Sequence, residues 1–344
     1  MSLAFNAVMK LSSLLPGVAV VAALATAAWL IAGFDFAASL RLSPLIFGIV
    51  IGALVGNVFA GRLPASLSDG VTFCTKRILR AAIVLYGFKI TFSQVAELGV
   101  EGLLLDVLMV GGTLCLGAFA GIRVFKVDRA TSWMVASGAA ICGAAAVIAT
   151  EPVVKGKSHQ TAAAVVTVVV FGTLSMFLYP ILYRADLFQM SEDVFGVYIG
   201  ASVHEVAHVV GAGEAVSQQA GATAVIVKMT RVLLLAPALL GIGWLANRGR
   251  AAEGGASTPL PVPWFAFGFI AVVALNTTGV VPPAAVDWLK TVDNFMLTMA
   301  MTALGMNTVF NKFRGMGLGP MYLAVVLFVW LVGGGYLLTK LLIT

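Results

Sequence analysis

The ten residues Gly200-Ala-Ser-Val-His-Glu-Val-Ala-His-Val209 repeat an earlier stretch of the chain and include the sequence His204-Glu-Val-Ala-His208. With an offset of 62 residues they align with Gly138-Ala-Ala-Ile-Cys-Gly-Ala-Ala-Ala-Val147, which has no His or Glu. Taken alone, H-E-x-x-H is the signature of a zinc metalloprotease, in which two imidazoles one helical turn apart hold the metal. A duplicated segment is instead typical of transporters built from internal repeats. The choice between these two interpretations decides the fold and the function.

The composition indicates an integral membrane protein. Of the 344 residues, 60% are hydrophobic and only 10% are charged, and the mean hydropathy is +1.02. These values exclude a soluble domain. Eleven apolar segments are long enough to enter or cross a bilayer: 14–33, 44–61, 74–94, 102–121, 130–150, 160–182, 194–213, 221–246, 262–281, 291–310 and 319–343. The sequence therefore predicts an all-α, polytopic membrane protein.

A second, longer repeat constrains the topology of these segments. Residues 42–121 align with 260–339 without a gap, and Gly87 then meets Gly305. If every segment crosses the bilayer, the two units start an odd number of crossings apart. They are then inverted relative to each other, as many transporter repeats are.

The shorter repeat units, 138–180 and 200–242, start an even number of crossings apart and would be parallel. The conflict disappears if the segments centred near Cys142 and Val203 are broken helices that turn back within the membrane. Both are rich in Gly and Ala at that point, as such breaks require. We therefore predict inverted-topology repeats with about nine full spans and two broken or re-entrant helices. Whether these two helices cross the membrane or re-enter it stays open at this stage.

We predict that the whole chain, residues 1–344, forms a single transmembrane domain that contains one flexible linker. This linker, residues 247–263, is rich in Gly, Ala and Pro. The distribution of Lys and Arg between loops places the N-terminus and the linker in the cytoplasm. The net charge of +6 is explained by basic cytoplasmic loops, so we expect the lipid bilayer and no nucleic acid as a partner.

Two broken helices would create a site for a small anion. At each break backbone N–H groups lose their partners and gain a partial positive charge. Two such helix ends brought together can bind an anion. The predicted substrate-binding residues are polar or charged and lie near the breaks or in segment 221–246: Ser137, Cys142, Ser202, His204, Lys228 and Arg231. For the two serines, close helix packing is an equal alternative.

Ionisable residues within membrane segments point to function by default. His204 and Glu205 are the candidates for coupling transport to a proton or sodium ion, and a structural His is the alternative. Lys228 and Arg231, spaced i, i+3, share one helix face. Snorkelling to the interface is their alternative explanation. Secondary candidates are Arg80, Lys89, Asn307 and His208.

The zinc interpretation lacks a third ligand in the sequence. The chain has three His, and the third, His159, follows the segment 130–150 in a polar loop. A catalytic zinc needs three protein ligands and an open position. We therefore expect no metal, no cofactor and no enzymatic activity. An intramembrane zinc metalloprotease that uses HEVAH, an anion channel and an anion sensor are the alternatives to a transporter.

Four motifs resemble one family of bacterial membrane proteins. They are Leu85-Tyr-Gly-Phe-Lys-Ile-Thr-Phe-Ser-Gln94, Ile141-Cys-Gly-Ala-Ala-Ala-Val147 with Ala149-Thr-Glu-Pro-Val-Val-Lys155, Val203-His-Glu-Val-Ala207 and Ala303-Leu-Gly-Met306. Together they are similar to the YeiH-type inner-membrane proteins, a family named for sulfate export and related to the bile-acid, arsenite and riboflavin transporters. Members often have Gln where this chain has His208, which argues against zinc.

The resemblance implies a multi-pass secondary transporter of the bacterial inner membrane with inverted repeats. Together with the predicted site residues, the resemblance predicts that the protein transports sulfate, sulfite or a small sulfonate anion outward by alternating access. A proton or sodium ion is expected to couple to this transport, and a homodimer is compatible with the sequence.

Overall fold

The computed structural model describes residues 2–34, 37, 43–59, 65–247, 264–308 and 317–343, with the backbone alone for 2–12 and 246–247. All regular secondary structure in these ranges is helical, which confirms the all-α class. Of the predicted linker 247–263, all but Asn247 lies outside the described residues, as do residues 309–310 at the end of the segment 291–310.

Sixteen α-helices are described, some of them short pieces of one longer apolar segment. In chain order they are α1 (Ser2–Ala32), α2 (Pro44–Val58), α3 (Ala65–Phe73), α4 (Leu79–Tyr86), α5 (Phe92–Glu97), α6 (Gly99–Phe119), α7 (Arg129–Ala140), α8 (Ala144–Val153), α9 (Ser158–Arg184), α10 (Glu192–Ser202), α11 (Val206–Glu214), α12 (Gln218–Leu233), α13 (Leu235–Asn247), α14 (Trp264–Thr277), α15 (Pro283–Asn307) and α16 (Leu318–Leu342). One π-helical turn joins α3 to α4, and another extends α6.

Four of the described helices are long and apolar enough to cross a membrane. They lie at Ser13–Ala32, Gly99–Val124, Ser158–Arg184 and Leu318–Leu342. The pair α12 and α13, bent by 41°, forms a fifth if it is one span. The described apolar helices Pro44–Val58, Ala144–Val154 and Trp264–Thr277 are shorter. The chain is thus a multi-pass membrane protein, and the count of nine full spans stays a prediction.

The chain divides into two compact units. The first consists of Met1–Phe92 and Phe265–Arg314, and the second of Ser93–Trp264 and Gly315–Thr344. The two long repeats, 42–121 and 260–339, are therefore each divided between the units, whereas the two short repeats lie entirely in the second unit.

In the first unit, α2 and α15 pack backbone against backbone. Gly48, Gly52 and Gly56 lie four residues apart along α2 and face Thr302 and Met306 of α15. A Cβ atom at Gly48 would lie 2.8 Å from the Thr302 hydroxyl oxygen, and one at Gly52 or Gly56 would meet the backbone of α15. Small residues at this spacing allow membrane helices to approach closely.

Two asparagines in the first unit bond across the long repeats. The Asn57 side-chain amide donates to the carbonyl oxygen of Thr308 at 2.8 Å, and the Asn276 amide donates to that of Ile90 at 2.8 Å. Ile90 and Thr308 are equivalent at the offset of 218, and the asparagines differ from equivalence by one residue. Each repeat thus supplies a donor to the same place in the other.

The second unit contains both predicted helix breaks. Its core packs apolar side chains of α6, α7, α9 and α16 together, among them Met109, Ala136, Val168 and Leu327. The first break separates α7 from α8, and the second separates α10 from α11. The predicted breaks near Cys142 and Val203 are therefore confirmed.

Candidate functional site

The two breaks occupy equivalent positions of the short repeat. Residues 141–143 of the first break align with 203–205 of the second at the offset of 62. Gly143 has φ +75°, a left-handed conformation that favours glycine, and Val203 is extended. The N-cap residues of α8 and α11, Gly143 and Glu205, provide no side-chain hydrogen bond in the described structure. The first N–H groups of both helices thus keep the partial positive charge of a helix N-terminus.

The breaks lie against each other. A Cβ atom placed on Gly143 would lie 3.0 Å from Cβ of Glu205 and 3.0 Å from Cγ1 of Val168 in α9. Only a residue without a side chain fits between the first break and these neighbours. The absence of a Cβ at Gly143 therefore allows the start of α8 to approach the start of α11.

Two fully buried cations from α12 bind the ends of the preceding half-helices. The Lys228 ammonium donates to the carbonyl oxygen of Val203 at 2.6 Å. The Arg231 guanidinium donates through Nη1 to the carbonyl oxygens of Ala201 and, at 3.4 Å, Gly200, and through Nη2 to that of Ala140. Both side chains are 0% exposed. Arg231 thus joins the C-terminal end of α7 to that of α10.

Asp106 of α6 is the acidic counterpart of these cations. It is 0% exposed, and neither carboxylate oxygen has a hydrogen-bond partner among the described residues. It is close enough to Arg231 and Lys228 for electrostatic attraction to both. Asp106 is therefore buried within the field of both cations, and no direct ion pair joins it to either of them in the described structure.

The two predicted serines bridge helices through their hydroxyl groups. Ser137 donates to the Met134 carbonyl at 3.0 Å and accepts from the Thr150 hydroxyl at 2.8 Å, which joins α7 to α8. Ser202 donates to the Tyr198 carbonyl and accepts from the Tyr179 hydroxyl at 2.8 Å, which joins α10 to α9. All of these groups are buried, so each serine has a packing role whatever else it binds.

His204 lies in the second break at the position that Cys142 has in the first. Both residues are buried, with exposed fractions of 2% and 4%. The His204 imidazole stacks on the rings of Phe171 and Phe328, with centroids 6.4 and 6.3 Å away. Its Nδ1 atom is buried without a hydrogen-bond partner among the described residues. The break therefore contains a polar nitrogen that is available to a ligand or a proton.

Glu205 and His208 form a second polar group beside the break. The Oε2 atom of Glu205 lies 3.7 Å from Nδ1 of His208, an ion pair when the imidazole is protonated. On the other side of the ring, Nε2 lies 3.3 Å from the Thr173 hydroxyl oxygen. The ring lies over Gly172, where a Cβ atom would meet it within 2.8 Å of Cε1. Fully buried His208 thus lies between two partly buried polar side chains, Glu205 and Thr173.

The remaining predicted residues belong to the first unit. Lys89 lies 3.2 Å from the Asp293 carboxylate and donates to the Asn294 side chain at 2.6 Å. Arg80 is exposed, with its guanidinium carbon 5.9 Å from the centre of the Phe265 ring. Asn307 is exposed at the end of α15. The structure thus brings together the site residues of the second unit and assigns these three to the other unit.

The HEVAH residues do not lie on one helix. Because α11 begins at Val206, His204 and Glu205 precede it, and of the two histidines only His208 lies in the helix. The metalloprotease geometry needs both imidazoles one turn apart on a continuous helix. Among the described residues, no three His, Cys, Asp or Glu side chains form a group that could hold a metal ion.

Sequence reasoning missed several residues of this site. Tyr179, Thr150 and Thr173 lie in apolar segments, where a hydroxyl group indicates no partner. Phe171 and Phe328 are indistinguishable in sequence from core aromatic residues. Thr150 precedes Glu151 and Pro152 in one of the family motifs, which is the one signal that could have directed attention to it.

Comparisons with known proteins give the family. Residues 16–324 match the family described as Conserved hypothetical protein 698. A UPF0324 membrane protein of Bacteroides thetaiotaomicron is 45% identical over 332 residues, which cover 96% of this chain and 98% of the relative. A UPF0324 membrane protein of Pseudomonas putida is 43% identical over 337 residues, or 98% and 96% of the two chains. The UPF0324 inner membrane protein YeiH of Escherichia coli K12 is 42% identical over 321 residues, or 93% and 92%.

No solved structure matches the chain. The sequence relatives cover nearly its whole length, and the one from Escherichia coli is named an inner membrane protein. This agrees with the apolar helices of the structure and with the motif resemblance. The chain therefore belongs to the UPF0324 family of membrane proteins, the YeiH-type family that its motifs indicate.

Proposed function

We propose that this protein is a secondary transporter that moves a small anion across the bacterial inner membrane by alternating access. The main support is the meeting of the two helix breaks, with the starts of α8 and α11 beside two buried cations. Irregular backbone at membrane depth is tolerated only where it is buried in protein or lines a cavity. Helix N-termini are ready-made binding sites for anions.

The proposed substrate is sulfate, sulfite or a small sulfonate. The anion accepts hydrogen bonds from the first N–H groups of α8 and α11. The hydroxyls of Ser137 and Ser202 donate to it when they turn away from the Met134 and Tyr198 carbonyls. Cys142 and His204 line the same breaks. Because Lys228 and Arg231 already bind carbonyl oxygens, they compensate the anion's charge through their field. Bringing a charge to the membrane interior without such compensation is costly.

The proposed coupling ion is a proton, exchanged at Glu205 with His204 beside it. The buried cluster has two cations, Lys228 and Arg231, and two carboxyl groups, Asp106 and Glu205. A proton on Glu205 therefore leaves one positive charge uncompensated, which favours anion binding. The proton also reduces the charge that crosses the membrane with a divalent anion.

Inverted-topology repeats are part of the proposal. The equivalent positions of the two breaks support the short repeat, and the reciprocal bonds of Asn57 and Asn276 support the long one. Repeats of this kind exchange inward- and outward-facing states. The cytoplasmic N-terminus rests on the loop charges. The outward direction of transport is proposed from the motif resemblance and from the membrane potential. A potential that is negative inside favours the exit of an anion by about 2.3 kcal/mol per charge for each 100 mV.

The deciding experiment is the flux of labelled sulfate and sulfite in proteoliposomes under imposed pH and sodium gradients. We expect saturable flux that responds to the pH gradient. Both double variants, Lys228→Ala/Arg231→Ala and His204→Ala/Glu205→Ala, should lose it, whereas the exposed control Glu192→Gln should keep it. Unchanged flux in both double variants would contradict the mechanism.

The same assay separates the alternatives to a transporter. An anion channel would give conductance that no ion gradient drives, and a sensor would bind an anion without flux. Stoichiometric zinc in the purified protein, lost in His204→Ala, would instead favour the metalloprotease.

A further inference from the structure

Four backbone carbonyl oxygens gather where the half-helices end. They belong to Ala140 at the end of α7, to Gly200 and Ala201 in the last turn of α10, and to Val203 in the second break. We call these four oxygens the carbonyl cluster. The last carbonyls of a helix have no partner within it and form the negative end of the helix dipole. Two such ends in one buried place require a cation.

The cation at the carbonyl cluster is part of the chain itself. Lys228 donates to Val203 at 2.6 Å, and Arg231 donates to the other three oxygens. Both side chains come from the same face of α12 and are fully buried. At the equivalent positions of the short repeat, 62 residues earlier, the chain has Val166 and Val169. The cations therefore belong to one repeat only, and they hold the ends of both broken helices.

In ion-coupled transporters, unwound carbonyls and half-helix C-terminal ends coordinate the coupling cation. We infer that the carbonyl cluster is a cation site in which the tethered ammonium of Lys228 replaces a free sodium ion. Removal of that ammonium leaves the Val203 carbonyl without its donor and the nearby Asp106 carboxylate with Arg231 as its one remaining cation in the cluster. Carbonyl and carboxylate oxygens are both ligands that sodium accepts. The inference rests on the proposed transport function and deepens it, since it identifies the Lys228 ammonium as the group that takes the place of a coupling cation at the carbonyl cluster. Its test measures stability, so it can fail while anion transport is confirmed.

The test compares thermal unfolding in sodium chloride with unfolding in choline chloride of equal concentration. We expect the melting temperature of the wild-type protein to be the same in both salts. That of Lys228→Ala should be lower and should rise with sodium in a saturable way, by about 5 °C when sodium is near one hundred times its Kd. Lys228→Met, which fills the space with an apolar chain, should be destabilised without a sodium response. The control Lys290→Ala, at a partly exposed position in the first unit, should behave like the wild type.

Several outcomes would overturn the inference. A sodium-specific rise in the wild-type protein would show that a free ion already binds, and equal melting of Lys228→Ala in both salts would show that no cation site is uncovered. If Lys228→Ala folds only when membranes are prepared in sodium or ammonium salts, the inference is supported. If it fails to fold in every salt while Lys228→Met folds, the carbonyl cluster accepts no free cation and the inference is wrong.

Discussion

Gly143 and Glu205 meet at the two breaks, so close that a single added carbon on Gly143 would lie 3.0 Å from Cβ of Glu205. Gly143 also has φ +75°, which an L side chain rarely adopts. The close approach to Glu205 and the positive φ both require glycine at position 143, within a run of small apolar residues. The contact is the point where the first half of the short repeat fixes the proposed coupling residue in the second half.

We expect Gly143→Ala to destabilise the protein and to slow transport. A non-glycine residue in a strained backbone region costs about 1–3 kcal/mol, and the new methyl group must also displace Glu205 or Val168. Thermal unfolding and anion flux measure the two effects. The matched control is Gly111→Ala in α6, where a Cβ atom has nothing within 4 Å and alanine favours the helix. Equal behaviour of the two variants would contradict the close contact.

Asp106→Asn should lower stability and raise the apparent affinity for the anion. The substitution keeps the size of the side chain but removes the negative charge that attracts Lys228 and Arg231. The buried cations then have one counter-charge fewer and keep only that of Glu205, at a cost of about 1–3 kcal/mol, and a substrate anion replaces the lost charge. Melting temperature and half-saturating sulfite concentration are the measurements, with the exposed Asp287→Asn as control. A weaker affinity in Asp106→Asn would speak against an anion near these cations.

Asn57→Ala and Asn276→Ala should destabilise the protein by similar amounts. Each loses one cross-repeat hydrogen bond of 2.8 Å and leaves a carbonyl oxygen, that of Thr308 or Ile90, without this donor. The expected cost is about 1–3 kcal/mol for each variant. Chemical or thermal unfolding measures it, with Thr278→Ala as a control, because that hydroxyl bonds only within its own chain neighbourhood. If only one of the two substitutions lowered the free energy of unfolding, the two hydrogen bonds would not be equivalent contacts between the long repeats.

His208→Gln should retain most transport, whereas His208→Leu should lose it by about tenfold. Glutamine keeps a polar group between Glu205 and Thr173, and leucine leaves the Glu205 carboxylate without a polar neighbour on that side. Initial rates of anion flux across a pH series measure the difference. If His208→Leu transports like the wild type at every pH, His208 only fills space.

The sequence indicated the breaks because two signals coincided there. The short repeat aligned Cys142 with His204, and both stretches contained the small residues that a helix break needs. The broad class was predictable for a simpler reason, since 60% hydrophobic residues leave few alternatives to a membrane protein. Helix ends were less predictable, because an apolar segment such as 74–94 contains no sign of its π-helical turn.

The partners of the charged residues were beyond the sequence. Spacing i, i+3 placed Lys228 and Arg231 on one face of a helix, but it could not distinguish an anion from a carbonyl oxygen as their acceptor. The acceptors lie between 25 and 91 residues away in the chain. Arg80, Lys89 and Asn307 were grouped with them by charge and polarity alone, and the structure assigns these three to the other unit.

Each of the two units consists of two separate stretches of the chain, so neither unit is complete until late in synthesis. The first unit needs residues beyond Phe265 to complete the segment that ends at Phe92, and the second needs the last helix, α16. Ribosomes add about 5–20 residues per second, so helices α1 to α4 wait roughly 10 to 40 s in the membrane for α14 and α15. During that time the glycine face of α2 has not yet met α15, and the hydrogen bond from Asn57 to the Thr308 carbonyl has not yet formed. While these contacts are missing, the early helices expose surfaces that membrane chaperones can cover and proteases can attack.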